Sequence, residues 1–411
     1  MSHASRRRAG PRWAGALLVA ALVAACQERL TEPVDCPALC PGGTATVRDT
    51  VLAPVPGADS SYIGYIEAGS GGALLVSNGL PASEDRGVYR FAPRPDSIEV
   101  ADTNRGYVVD SVLIAINLLA RDTLVDGLAL FLYRITNTVS SGVTFAEVEA
   151  QLVEPNLIGT IPVPDSLNAG LVQLVLRGDE TLRTGLPIDS GGTLAVGIAL
   201  TAAQPTGVRI GSTASGTGAS FISYVTAQNV ADTVTGRQQT VTRTPSFNTF
   251  VTQSTPVLDP DLLTVGGQPS SRALVRFDLP DGLEDSATIV RATLELVPAR
   301  PILGLPTDPS LLVARAVLAD LGAKSPVTED QNFIASDTLS PSTSDTVRLD
   351  VTNIVRLWQS TVAERPEAIF ISLRPEAASF MRAEFGSTRS PAAGGPRLRV
   401  TYMLTFPFES P

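Results

Sequence analysis

Short blocks recur in the same order in the two halves of this chain, and within them apolar and polar residues alternate. "LLVSNGLPAS" at 74–83 aligns with "LLTVGGQPSS" at 262–271, and after two extra residues, Glu84 and Asp85, "RGVYRF" at 86–91 aligns with "RALVRF" at 272–277. "VQLVL" at 172–176 then matches "VRLDV" at 347–351, and "AVGIAL" at 195–200 matches "AIFISL" at 368–373. Gly211-Ser212-Thr213 falls on Gly386-Ser387-Thr388. Preserved order as well as preserved pattern is the mark of a duplicated module. The copies are expected at 46–228 and 229–405. The polar segment "ADTVTGRQQTVTRTP" at the join is either linker or the first strand of the second copy.

The period inside each copy is two, as in a half-buried strand. Val290, Ala292, Leu294 and Leu296 share one face, and so do Leu398, Val400, Tyr402 and Leu404. In the first copy Val112, Ile114, Ile116 and Leu118 alternate likewise. With 34 glycines and 31 prolines punctuating many short strands, the expected fold is all-β: two tandem antiparallel, jelly-roll-like β-sandwich modules. Helix is expected only in short pieces, one capped by Thr144 and running through Val148. Another is capped by Thr352 and turns Ile354, Val355 and Trp358 to one side, which makes Trp358 a core residue.

The amino terminus carries a different signal. Arg6, Arg7, Arg8 and Arg12 precede an apolar stretch from Trp13 to Ala25 that is short for a membrane span, and Leu22-Val23-Ala24-Ala25-Cys26 closes it. This resembles the lipobox of bacterial lipoproteins. The resemblance implies a signal peptide at 1–25, acylation of Cys26 and membrane attachment through the lipid, with residues 26–45 as tether. Gln27 gives no Asp retention signal, which by the same resemblance points to the outer membrane of a two-membrane bacterium. Loss of the leader removes four arginines and no acid, so formal charge moves from −10 to −14. An acidic surface argues against a nucleic-acid partner and against docking on anionic head groups. Cys36 and Cys40, in "DCPALCPGG", are placed to bridge a small local loop. Free thiols are the alternative, and a metal would need two more ligands that are not nearby.

In the second copy "SRALVRFDLP" at 271–280, "ATLEL" at 292–296, "LDVTNIVRLW" at 349–358 and "FGSTRSPAAGGPRLRVTY" at 385–402 resemble the DNRLRE-type modules of bacterial and archaeal surface proteins. That family has jelly-roll-like sandwiches similar to carbohydrate-binding modules. The resemblance implies adhesion, polysaccharide or envelope association, or a structural spacer, and it defines a scaffold rather than a reaction. The first copy departs from it, since "RFAPRP" lacks the Asp that follows Phe in "RFDLP".

Catalysis has few instruments. The only histidine, His3, leaves with the leader, which removes Ser-His-Asp, Cys-His and His-ligated zinc sites together. Lys324 is the only lysine and no Ser-x-x-Lys frames it. No enzyme activity and no cofactor are expected. The alternative is a polysaccharide lyase or glycosidase that uses carboxylates and arginines between the modules. For ligand contact Tyr62, Tyr65 and Tyr107 are the candidate stacking residues. Asp259 and Asp261 in "LDPDLL", and Asp281, Glu284 and Asp285 in "PDGLEDS", are weak calcium candidates without the spacing of a dedicated calcium loop. Arg90 and Arg276 are expected on the outer face opposite Phe91 and Phe277, with Asp278 as the surface partner of Arg276.

Overall fold

The computed structural model describes residues 47–404 except 64–65, 81–82, 137, 178–192, 254–256, 361–364 and 391–393. Cys26, Cys36, Cys40 and Tyr65 lie outside the described residues. The described residues begin with β1 (Val47–Leu52) and β2 (Ser60–Ile63). Next come β3 (Ala73–Asn78), β4 (Asp85–Phe91), a small hairpin of β5 (Ile98–Val100) and β6 (Thr103–Arg105), and the long β7 (Tyr107–Arg121). β8 (Ala129–Ile135), β9 (Leu157–Pro162), β10 (Gly170–Arg177), β11 (Leu194–Thr201), β12 (Thr206–Gly211) and β13 (Ser220–Ala227) follow. β14 (Gln238–Arg243) and β15 (Pro245–Thr252) precede β16 (Leu262–Gly266), β17 (Ser271–Arg276), β18 (Ala287–Leu296) and β19 (Ser310–Ala316). The last strands are β20 (Ile334–Leu339), β21 (Val347–Asp350), β22 (Ala368–Arg374), β23 (Arg382–Gly386) and β24 (Arg397–Leu404). Every ladder is antiparallel.

Alternation along these strands gives each sheet one apolar face, and the four large sheets bury those faces in pairs. The sheet β14-β13-β7-β12-β3, with β10 beside β7, faces the sheet β15-β4-β11-β8-β9. Leu74, Ile114, Ile116, Phe91, Leu130 and Val196 fill the space between them. The sheet β1-β24-β18-β21 faces β20-β19-β22-β17-β16-β23, with β2 beside β17. Leu263, Val275, Leu294, Ile371, Phe385 and Val400 form that second core. The fold is therefore an all-β antiparallel sandwich architecture.

The expected module limits at 228 and 229 do not coincide with the sandwiches. β14 and β15 stay in the first sandwich, on β13 and β4, while β1 and β2 lie in the second, on β24 and β17. The sandwiches also touch directly. Arg209 Nη2 meets Asp308 Oδ1 at 2.7 Å, and Thr307 Oγ1 donates to the Arg121 carbonyl at 3.0 Å. Phe380 packs on the bare backbone of Gly207, where a Cβ would come within 2.7 Å of the ring.

Two local expectations change. Val290 is not an inward residue: it is the extra residue of a bulge opposite Thr401 and Tyr402, so Ile289 takes the buried place and Val290 is 41% exposed. The helix α1 (Phe145–Glu149) has the expected Thr144 cap, completed as a capping box by Glu147. Helix α2 (Asp281–Glu284) is a single turn, and α3 (Thr352–Trp358) is not capped by Thr352, which is its first residue. Asp350 Oδ1 instead accepts from Thr352 N at 3.1 Å. Ile354, Val355 and Trp358 do face inward, with the Trp358 ring 6.2 Å from Phe277.

Trp358 is 6% exposed, so its removal leaves a cavity in the second core. Trp358→Ala should cost about 3 to 5 kcal/mol in equilibrium denaturation. An unchanged unfolding midpoint would contradict its place in the core.

Candidate functional site

The residues expected to bind ligand are mostly occupied with the fold. Tyr62, on β2, packs against the buried cluster of Leu274, Val317, Ala368 and Phe370. Tyr107, at the start of β7, donates its hydroxyl to the Pro95 carbonyl at 2.5 Å, and the Arg94 guanidinium lies 5.4 Å from its ring centre. Burial pushes its phenol above the ordinary value. Neither ring is free on both sides, and the two tyrosines belong to different sandwiches.

The acidic turns likewise serve local structure. Asp259 Oδ1 accepts from Asp261 N at 3.0 Å, and Asp259 Oδ2 is 3.8 Å from Arg300. Asp281 and Asp285 are exposed residues around α2, joined through a backbone bond of 2.9 Å. Among the described residues no three His, Cys, Asp or Glu side chains form a group able to hold a metal ion.

Arg276 does lie outside while Phe277 is buried, but its partner is not Asp278. β17 ends at Arg276, and the guanidinium makes a two-pronged pair with Asp320, at 2.5 Å and 2.7 Å. That pairing raises the arginine and lowers the Asp320 carboxyl below its ordinary range. Arg90 takes the equivalent place over the Phe247 ring, 5.3 Å away, and donates to the Val139 carbonyl.

The most ligand-like surface is one that the sequence reading missed. Phe131 and Tyr133 stand two apart on β8, so both point away from the first core while Leu130 and Leu132 point into it. Their ring centres are 6.4 Å apart and their planes are inclined by only 18°, so the two rings lie nearly parallel. Across the ladders Phe131 faces Ala199 on β11 and Thr160 on edge strand β9, and Tyr133 faces Gly197 and Leu157. Neither ring joins the apolar clusters of the fold, and both are partly exposed. Among the described residues the Tyr133 hydroxyl has no hydrogen-bond partner, and Thr160 and Thr201 add hydroxyls on the same face. Partly exposed aromatic rings bordered by hydroxyls suit the apolar face and edge hydroxyls of a sugar ring. The signal is present in "ALFLYRI", where the aromatics Phe131 and Tyr133 alternate with Leu130 and Leu132.

Two cavities offer other chemistry. A groove of about 590 Å³ beside α3 is lined by Arg291, Asn332, Asp350, Asn353 and Arg356. Arg356 spends Nε and Nη2 on the Ile289 carbonyl, at 2.9 Å and 2.8 Å, and Asp350 is the one carboxylate on the wall. A smaller pocket of about 260 Å³ sits where the sandwiches meet, lined by Leu80, Pro301, Ile302, Leu303 and Phe380 with Ser83 and Ser342. Behind it Asp85 is fully buried and bonded to the hydroxyls of Ser77, Ser83 and Thr252. Burial raises its carboxyl above the ordinary value, and the three hydroxyls oppose that shift without cancelling it.

No protein-family model matches the chain, and no curated protein is similar to it.

The raised Asp85 carboxyl has a consequence for stability. A carboxyl whose folded value exceeds its unfolded one stabilises fully below the unfolded value, and that contribution is lost as pH rises through the folded value. Asp85→Asn should therefore remove part of the decline in stability as pH rises above about 4, the ordinary carboxyl value. Parallel pH profiles for the two proteins in urea denaturation would contradict the assignment.

Proposed function

We propose that this protein is a non-catalytic lipoprotein of the cell surface, anchored through Cys26, that uses the first sandwich to bind polysaccharide of the envelope or surroundings. The supporting observation is the pair of partly exposed, nearly parallel rings of Phe131 and Tyr133 on the outer face of β8. It is peculiar to this sandwich. In the second, β19 occupies the corresponding place beside β22, with Val313 and Arg315 where the rings would stand. Val313 is buried and Arg315 reaches towards Glu329. The second sandwich, which carries the DNRLRE-like blocks, has the part of scaffold. By its lipobox resemblance and Gln27, the protein belongs to the outer membrane.

The reading is tested with residues 27–411 on immobilised bacterial and plant polysaccharides. An aromatic ring stacked on a ligand contributes about 1 kcal/mol, so Phe131→Ala and Tyr133→Ala should each weaken binding roughly fivefold. Tyr107→Ala should leave the affinity unchanged. Saturable binding that survives the double Phe131→Ala, Tyr133→Ala variant would move the site elsewhere. Absence of binding by the folded wild type to all of them would favour the structural spacer.

A further inference from the structure

Eight ladders of the first sandwich have counterparts in the second. With the sequence blocks in register, β3 corresponds to β16, β4 to β17, β10 to β21, β11 to β22 and β12 to β23. Their partners then match: β7 with β18, β8 with β19, β9 with β20, and β13 with β24. The match extends to a detail that no repeat requires. Asp110 is bulged out of β7 opposite Tyr224 and Val225, as Val290 is bulged out of β18 opposite Thr401 and Tyr402. Only the attachment of the β3–β12 pair differs, joined through β7 in one sandwich and its counterpart through β17 in the other.

On that correspondence the strands that complete each sandwich are β14 and β15 in the first, and β1 and β2 in the second. β14 lies on β13 as β1 lies on β24, and β15 lies on β4 as β2 lies on β17. The side chains agree. Asn248 Oδ1 accepts from Thr213 N at 2.8 Å and also from the Thr213 hydroxyl. Asp59, just before β2, accepts from Thr388 N at 2.8 Å and from the Thr388 hydroxyl at 2.6 Å. Thr213 and Thr388 are the last residues of the two Gly-Ser-Thr repeats. The same polar clamp holds the added strands in both sandwiches, and Pro54 and Pro245 stand at the same turn after β1 and β14.

In chain order, however, β1 and β2 precede the first set of repeated blocks, and β14 and β15 precede the second. We infer that the chain is a duplication of one unit that begins with this strand pair, and that the two copies have exchanged those pairs. Copy one gives β1 and β2 to the second sandwich; copy two gives β14 and β15 to the first. This is domain swapping between fused copies, which costs no contact because each exchanged pair finds an equivalent seat. Each core is then built from both copies, and neither copy has a sandwich of its own.

The seats can be read by paired cysteines in the full chain, with Cys26, Cys36 and Cys40 replaced by serine. Val51 faces Arg399, and Thr242 faces Ile222, on outward-pointing sides of their ladders. Val51 and Thr242 are equivalent, as are Arg399 and Ile222, so exchanged and unexchanged folds predict opposite pairings. Val51→Cys with Arg399→Cys, and Thr242→Cys with Ile222→Cys, should give intramolecular disulfides identified by peptide mass mapping. A disulfide from Val51→Cys with Ile222→Cys would overturn the exchange. So would failure of Val51→Cys with Arg399→Cys to close, or its closure only between two chains.

Discussion

The Asp59 carboxylate is the contact on which the arrangement of the second sandwich turns. It is fully buried, and it receives the backbone and hydroxyl of Thr388 together with Arg389 Nη1 at 3.0 Å. A buried carboxylate is costly unless its oxygens are satisfied, so the loop after β23 and the start of β2 are held to one geometry. Gly57 N adds a bond of 2.9 Å to Thr388 Oγ1. From this point β2 runs along β17 while β1 runs along β24, and the first strand of the described chain is zipped to the last. The exchanged pairs also cover edges of β13, β24, β4 and β17 that would otherwise present unpaired backbone groups.

Much of the fold was legible in the sequence because burial imposes period two on strands. Leu294 and Leu296, or Ile114 and Ile116, could hardly be anything but inner-face residues. The bulge at Val290 was hidden because one inserted residue shifts the phase without breaking the pattern, and Ile289 is as apolar as Val290. The exchange of strand pairs was hidden for a more basic reason. Swapping equivalent strands between equivalent seats leaves their order along the chain unchanged, so repeats report copies and not sandwiches. The segment at 231–245, which the sequence leaves as linker or strand, contains β14.

The candidate site was less legible. Tyrosine in a strand reports neither its face nor its neighbours, and Tyr107 spends its hydroxyl and one face on Pro95 and Arg94. Phe131 and Tyr133 qualify through relations that lie off their own strand: the small Ala199 and Gly197 beside them, and their mutual tilt of 18°. Acidic residues misled in the opposite way. Asp259 and Asp281 look like ligands in sequence, yet they close turns, while Asp320, which takes the pair with Arg276, stands 44 residues away.

Interlocked copies should lose structure together. The central measurement is urea unfolding of residues 27–411 followed at once by Trp358 fluorescence, which reports the second sandwich, and by far-ultraviolet circular dichroism, which reports both. One shared transition with the same midpoint and slope is the predicted result. Two separated transitions, with Trp358 following only one, would mean that each sandwich stands alone and would contradict the exchange.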